Sequence, residues 1–403
     1  MLTVFNREVK SMSMPFEREA FAAKLNNERV FEFVETVFGE SMHAKRVESL
    51  ANAAIGLLNA EALLLHKMGE GLSHAKQLDK KHATKQIDRL LSNRKLDIWE
   101  SSGIWVPYII GERKEILVSM DWTDFDGDGQ STLALNLVTS HGRATPLLWK
   151  TVNKSSLKHN RARYEDQILS HLKEVLPFGI KVTVLADRGF ADKLFFKFIE
   201  EELGFFYIIR IRGSVYVTDK HQRSHLAKGW LRTDGRTRFL EQATVTKDNH
   251  AIAKFVCTKQ KDMKDAWYLV SNCEDLSAST IIQFYGKRWK IEPYFRDIKD
   301  QRFGYGLEAT HISTPDRRDR LFFISAICIA LLTLLGAAGE SIGFDRKLKV
   351  NTVKTRTHCL LRQGIFYYKF FPNFKEEEKS RLLFAFNDLL EQQSVWKNLF
   401  FAV

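Results

Sequence analysis

Cysteine is scarce in this sequence. Cys257, Cys273, Cys328 and Cys359 are the only four in 403 residues, and no C-x-x-C pair occurs. This excludes a disulfide-stapled scaffold and argues against a structural zinc site; the pattern fits reduced core thiols of a cytoplasmic protein. The opening MLTVFNREVKSMSMPFERE carries charges early and lacks an apolar h-region, which reads against a secretory signal peptide. Internal repeats and low-complexity tracts are absent too. Long apolar runs are nearly so: LFFISAICIALLTLLGAAG, residues 321–339, is uncharged over 19 positions and follows Arg317, Arg318 and Arg320. By length it could span a bilayer. A single such run in the middle of a basic chain reads better as a buried core helix, with Ser325, Thr333 and the small residues 336–339 suited to close helix packing. No membrane is expected as a partner.

Acidic charge is in deficit. Sixty-one Lys and Arg against 49 Asp and Glu leave a net charge of +12, and 44% hydrophobic residues exclude a disordered chain. The length allows two or three domains. The excess positive charge points to nucleic acid or an anionic surface as partner.

Residues 1–100 read as helical. Residues 29–38 and 43–68 carry apolar stripes at helical spacing, interrupted at Glu61, and Gly69-Glu70-Gly71 is expected to break the second helix. Short helices are expected at 73–78 and 83–91, the second crowded by Lys81, Lys85, Arg89, Arg94 and Lys95. A short helix, a turn and a basic helix outline a helix-turn-helix DNA reader at 73–96. The alternative is an ordinary bundle with a solvated basic face.

From about residue 104 the pattern becomes α/β. Strands are expected at 115–122, 132–139, 144–151 and 181–185, with helices at 164–175 and 193–203. Residues 205–275 are β-rich, and the chain returns to helix from Ser277. Asp121 and Asp187 each stand just past an expected strand end, where α/β sheets collect ligands. Carboxylates without clustered His or Cys suit Mg²⁺ or Mn²⁺, the ions of two-metal phosphodiester chemistry. Asp124, Asp126, Asp128 and Gly129 begin like a calcium loop, but the twelfth position is Leu135, so FDGDGQ reads as a hairpin turn. Farther on, Tyr285, Arg288, Glu292 and Lys299 fall on one helical face, flanked by Trp289 and Phe295. Pro293 is expected to kink or restart that helix. The set would suit a grip on phosphates beside a metal-bound carboxylate; the alternative is an exposed helix with salt bridges.

Tyr285-x2-Arg288-x3-Glu292-x6-Lys299 resembles the Y-R-E-K signature of the DDE transposases of the bacterial insertion sequence 4 family. Asp121 in MDWTDF and Asp187 in ADRGF resemble that family's two catalytic aspartates. KQIDRLLSN at 85–93 and FGYGLEATHIS at 303–313 are similar to its cut-and-paste subgroup. The resemblance implies an α/β fold with a ribonuclease-H-like catalytic core, an inserted β-rich domain, an N-terminal helical DNA-binding region and a helical C-terminus. The corresponding parts are 1–100, 101–204 and 276–345 for the two core halves, 205–275 for the insert, and 346–403, a possible dimerisation region. It further implies that Asp121, Asp187 and Glu292 bind two Mg²⁺ (or Mn²⁺) ions. Tyr285, Arg288 and Lys299, with Arg296, would hold DNA phosphates, and Lys81, Lys85 and Arg89 would contact transposon ends. Relatives cut through a DNA hairpin and stack a flipped base on an aromatic; Trp289 and Trp230 are the expected candidates. The partners implied are double-stranded DNA, as terminal inverted repeats and target, and a second copy of the chain. The competing reading is a catalytically silent, sequence-specific DNA-binding protein descended from a transposase. Four stretches, 74–96, 143–163, 210–236 and 284–302, hold a net +19, so the rest of the chain is slightly acidic.

Overall fold

The computed structural model describes residues 15–391 apart from 262 and 301–303, with side chains from residue 27 to 390. The charged stretch before residue 15, the end of the 346–403 region, and Phe303 of FGYGLEATHIS lie outside the described residues.

Four helices open the chain: α1 (Pro15–Phe38), α2 (Ala44–Ala60), α3 (Leu65–Lys76) and α4 (Lys80–Leu91). The expected break at Gly69-Glu70-Gly71 is not there. Both glycines lie inside α3, because three helices cross at close range on them. A Cβ on Gly71 would sit 2.5 Å from Gly56 O, and one on Gly69 would sit 2.1 Å from Thr84 Oγ1. The chain breaks instead at Glu61, whose left-handed backbone (φ 51°) caps α2. Asp79 caps α4 by accepting a hydrogen bond from the His82 amide. α5 (Ile98–Ile110) crosses the boundary expected near 100 and has no counterpart among the expected helices; Ser101, Ser102, Gly103 and Pro107 obscure its pattern.

One ten-stranded sheet follows. β1 (Glu115–Phe125), β2 (Gln130–Leu137) and β3 (Thr145–Asn153) form an antiparallel meander. After α6 (Arg161–Val175), β4 (Lys181–Ala186) pairs parallel to β1; after α7 (Lys193–Lys197), β5 (Phe206–Arg210) pairs parallel to β4. The remaining strands are β6 (Tyr216–Thr218), β7 (Ser224–Leu226), β8 (Arg238–Val245), β9 (His250–Thr258) and β10 (Trp267–Ser271). The strand order is β3-β2-β1-β4-β5-β10-β9-β8-β6-β7. The β-rich segment expected as 205–275 is thus continuous with the core sheet. β5 belongs beside β4, and β10 pairs antiparallel with it, which satisfies an edge that would otherwise lie open.

The chain returns through α8 (Ala278–Lys287), α9 (Ile291–Lys299), α10 (Pro315–Ser341), α11 (Leu360–Phe370) and α12 (Glu376–Glu391). The apolar run 321–339 is the middle of α10 and is wholly buried. It packs against α2, β3, α11 and α12, joining the N-terminal helices and the sheet in one core. Its small residues serve helix packing: a Cβ on Gly336 would meet Leu360 O at 1.9 Å, and one on Gly364 would meet Leu332 O at 1.7 Å. The FDGDG segment is a tight turn joining β1 to β2, with Gly129 at φ 61°, as expected.

Candidate active site

Asp121 does not stand past a strand end. β1 continues to Phe125 because its pairing with β2 runs on to Phe125 opposite Gln130, so Asp121 lies within the strand, opposite Ala134. Its Oδ1 accepts the Trp122 amide at 2.9 Å. Asp187 directly follows β4, the strand beside β1, as the sequence indicated. There the D-R-G-F turn aims the carboxylate: Gly189 N–H donates to Asp187 Oδ1 at 2.7 Å, and Phe190 is buried as an anchor. A Cβ on Gly189 would lie 2.9 Å from that oxygen and push the carboxylate aside, so glycine here leaves the Asp187 side chain its position.

Glu292 arrives from the other side of the chain. The helical stretch from 285 to 299 restarts, as Pro293 led one to expect: α8 ends at Lys287, Arg288–Lys290 form a 3-10 turn, and α9 starts at Ile291. Pro293 falls in the first turn of α9, where a missing N–H costs nothing, so the restart comes just before the proline. The division alters the common face. Tyr285 is fully buried beneath Arg288, in a small core with Leu117, Leu185 and Ile208. Arg288 is 5% exposed; its Nη1 donates to Asp121 Oδ2 at 3.3 Å, and its Nη2 stands 3.9 Å from Glu292 Oε1. Lys299 Nζ donates to the Asp124 carbonyl at 2.7 Å and pairs with Glu308 at 3.4 Å. Trp289 is 41% exposed, with the Arg288 guanidinium 5.0 Å from its ring. Arg296 is exposed on α9.

Asp121 is the electrostatic centre. Burial raises its pKa to about 6; Arg288 opposes that rise, while Asp187 and Glu292 add to it. Three carboxylates from β1, the end of β4 and the start of α9 therefore share one field with a single guanidinium among them. Hard oxygen donors of this kind suit a divalent cation. Among the described residues, no group of three His, Cys, Asp or Glu side chains is drawn tightly enough together to hold a metal ion.

Arg210 is a neighbour of the site that nothing in the sequence singles out. Arg210 ends β5, and its charge acts on Tyr285; its Nη2 donates to Ala266 O, and its buried Nε has no partner. On the opposite face of β1 from Asp121, Glu165 is buried on α6 and accepts the Trp122 indole N–H at 2.8 Å; Arg161 Nε pairs with Glu165 at 3.2 Å, with its guanidinium 5.2 Å from the Trp122 ring. The register that sets Ala186 opposite Ile209 carries Arg210 to the same end of the sheet as Asp187. Nothing in the sequence pairs residue 165 with residue 122.

Trp230 does not belong to the site. It is buried, and its indole N–H donates to Val217 O at 3.1 Å, so it packs the β6–β9 end of the sheet. Lys81, Lys85 and Arg89 form one exposed stripe on α4, which packs against α3, α2 and α10. The acids in and just before FDGDG are spent on side-chain partners: Asp124 and Asp126 pair with Lys154 and Asp128 with Arg318, and Asp128 also hydrogen-bonds His311.

No curated protein matches this chain. Residues 113–331 match the family described as the transposase DDE domain. The matched span opens just before β1, closes inside α10 and contains all three carboxylates. A large mixed sheet with an antiparallel meander, two parallel strands and flanking helices is consistent with the ribonuclease-H-like domain of such enzymes. With more than half of its length inside that span, the chain belongs to the transposase DDE domain family.

Proposed function

We propose that this protein is a cut-and-paste DNA transposase of the insertion sequence 4 type, of the Y-R-E-K subgroup, acting in the bacterial cytoplasm. Asp121, Asp187 and Glu292 are its catalytic carboxylates. The observation that carries this reading is their shared field around one arginine, reached from three separate elements. DDE transposases generally use divalent metals. The donor set here fits Mg²⁺ or Mn²⁺: three hard carboxylates against one guanidinium leave negative charge uncompensated. Two such ions would be held by Asp121, Asp187 and Glu292, and when bound they supply activation of the attacking oxygen and stabilisation of the leaving one.

The protein's own groups supply placement. Gly189 N–H and Trp122 N–H hold the two aspartates in fixed directions. Arg288, Lys299, Arg210 and the exposed Arg296 offer cations to the phosphates around the scissile bond. Trp289 is the exposed aromatic beside the site and would receive a flipped base in a hairpin step. Strands β6–β10 are read as the inserted β-rich region, and the α4 stripe of Lys81, Lys85 and Arg89 as the reader of terminal inverted repeats. A homodimer would join two element ends, with the C-terminal helices as a candidate contact.

The test uses duplexes cut from the DNA bordering the gene. The full chain with Mg²⁺ or Mn²⁺ should nick them at the ends of inverted repeats and then join the freed 3′-hydroxyl. Asp187→Ala should bind the same duplex and lose cleavage by at least about a thousandfold. Binding without nicking under either ion would overturn the proposal.

A further inference from the structure

The two carboxylate oxygens that would first meet an incoming cation already have one. Asp121 Oδ1 is engaged by the Trp122 amide, which leaves Oδ2, and Oδ2 faces Arg288 Nη1 at 3.3 Å. Glu292 Oε1 faces the other end of the same guanidinium at 3.9 Å. Mg²⁺ needs each ligand oxygen at about 2.0–2.1 Å. An ion shared by these two oxygens would occupy the space that the guanidinium fills.

The arginine is held loosely for a buried charge. Both contacts are longer than the roughly 2.7–2.9 Å of a good charge-assisted hydrogen bond. Its Nε is buried without a partner. Its other supports are ring faces, Tyr285 at 5.7 Å and Trp289 at 5.0 Å. Trp289 is 41% exposed, so the side of Arg288 that rests on it leads outward.

We infer that Arg288 is a built-in counterion of the metal-free site, displaced from Asp121 and Glu292 when divalent ions bind and thereby released toward a DNA phosphate. The inference rests on the reading of Asp121 and Glu292 as metal ligands and adds a regulation to it. Before loading, the guanidinium limits repulsion among the three carboxylates. After loading, the ions take over that role, and the arginine is left with unpaired donors and a short route to the surface. Linkage makes the effect reciprocal: a phosphate that draws Arg288 away favours metal binding, and metal binding favours the phosphate by the same factor. A free protein would thus load metal poorly, and a DNA-bound one well.

The experiment measures Mn²⁺ binding to the full chain by electron paramagnetic resonance of the free ion, with and without a duplex from the gene's border. Arg288→Met removes the charge; Arg288→Lys keeps the charge but is too short to bridge both carboxylates. Without DNA, both variants should bind Mn²⁺ about tenfold more tightly than the wild type, within the usual range of coupling. The wild type should gain Mn²⁺ affinity on adding duplex, and Arg288→Met should gain little. If both variants bind Mn²⁺ as the wild type does, or if neither they nor the wild type bind it without DNA, the inference fails. An Arg288→Met that gains as much Mn²⁺ affinity from the duplex as the wild type also overturns it, since release of the arginine would then play no part in the coupling. Failure of the site reading looks different: Asp121→Asn and Glu292→Gln would leave Mn²⁺ binding unchanged.

Discussion

Arg288 and Arg318 are both buried, and each faces an aspartate on the β1–β2 hairpin, yet they are held in opposite ways. Arg318, fully buried at the start of α10, donates through Nε to Gln130 at 2.7 Å and through Nη2 to Asp128, and lies 3.8 Å from the centre of the Phe125 ring. Asp128 in turn accepts the Ile312 amide at 3.0 Å and pairs with His311. That cluster locks the turn after β1 to the central helix. Each guanidinium leaves one buried nitrogen without a partner, Nη1 of Arg318 and Nε of Arg288, so the difference lies in the contacts made: those of Arg288 are both long, and its acids are partly open to solvent. A charge that stabilises the fold is held by short contacts, and one meant for a ligand by long ones.

The comparison can be broken most directly by removing one partner from each arginine. Asp128→Ala strands Arg318 in the core and should cost about 3–5 kcal/mol, read as a large fall in thermal midpoint. Arg288→Met, beside half-exposed acids, should change stability by about 1 kcal/mol or less while depressing DNA cleavage. Equal losses in both would erase the distinction.

Gly189→Ala sharpens it from the side of the site. The new Cβ would press on Asp187 Oδ1 at 2.9 Å and turn the carboxylate. Cleavage should fall about a hundredfold with the melting curve almost unmoved, as expected for misplacement of a reacting group.

Asp319, one residue from Arg318, tests the anchored side by pH. Burial raises its pKa to about 7, and its Oδ1 accepts the Thr151 amide at 2.9 Å. An unfolded aspartate titrates near 3.9, so between the two values the folded protein holds a proton that the unfolded chain has lost. Stability should therefore fall as pH rises from about 4 to 7, on the order of 1 kcal/mol or more. Asp319→Asn should flatten that slope in denaturant titrations at several pH values.

The smallest effect is expected farthest from either arginine. Lys85→Ala on the exposed α4 stripe should weaken duplex binding several-fold at all sequences and lower the salt slope by about one. A loss confined to one sequence would make Lys85 a base reader instead.

Much of the catalytic sheet was legible because its strands follow local rules. Residues 115–122, 132–139, 144–151 and 181–185 alternate or run apolar between turn residues, and each became a strand within a few positions of its expected limits. The apolar run at 321–339 was legible as a core helix from its isolation in a charged chain. Other features were not legible, for identifiable reasons. Glycines at 69 and 71 look like breakers until Gly56 and Thr84 are seen pressed against them. β5 reads as part of the β-rich segment until its parallel pairing with β4 is known. Asp121 reads as a strand end in EILVSMDW, whereas the ladder to β2 carries the strand on to Phe125.

By itself the sequence determined which residues could do chemistry here: three acids in order, a basic and aromatic run around Glu292, a turn that can aim Asp187, and a surplus of positive charge in four stretches. Those properties depend on residue type and short spacing. Tertiary structure alone decided that Arg288 lies between Asp121 and Glu292, that Tyr285 and Trp230 are buried while Trp289 stays exposed, and that Arg210 acts on Tyr285. The physical reason is distance along the chain. Asp121 and Arg288 are 167 positions apart, and only the pairing of β1, β4 and β5 and the packing of α8 and α9 against that sheet fix which charges meet out of water.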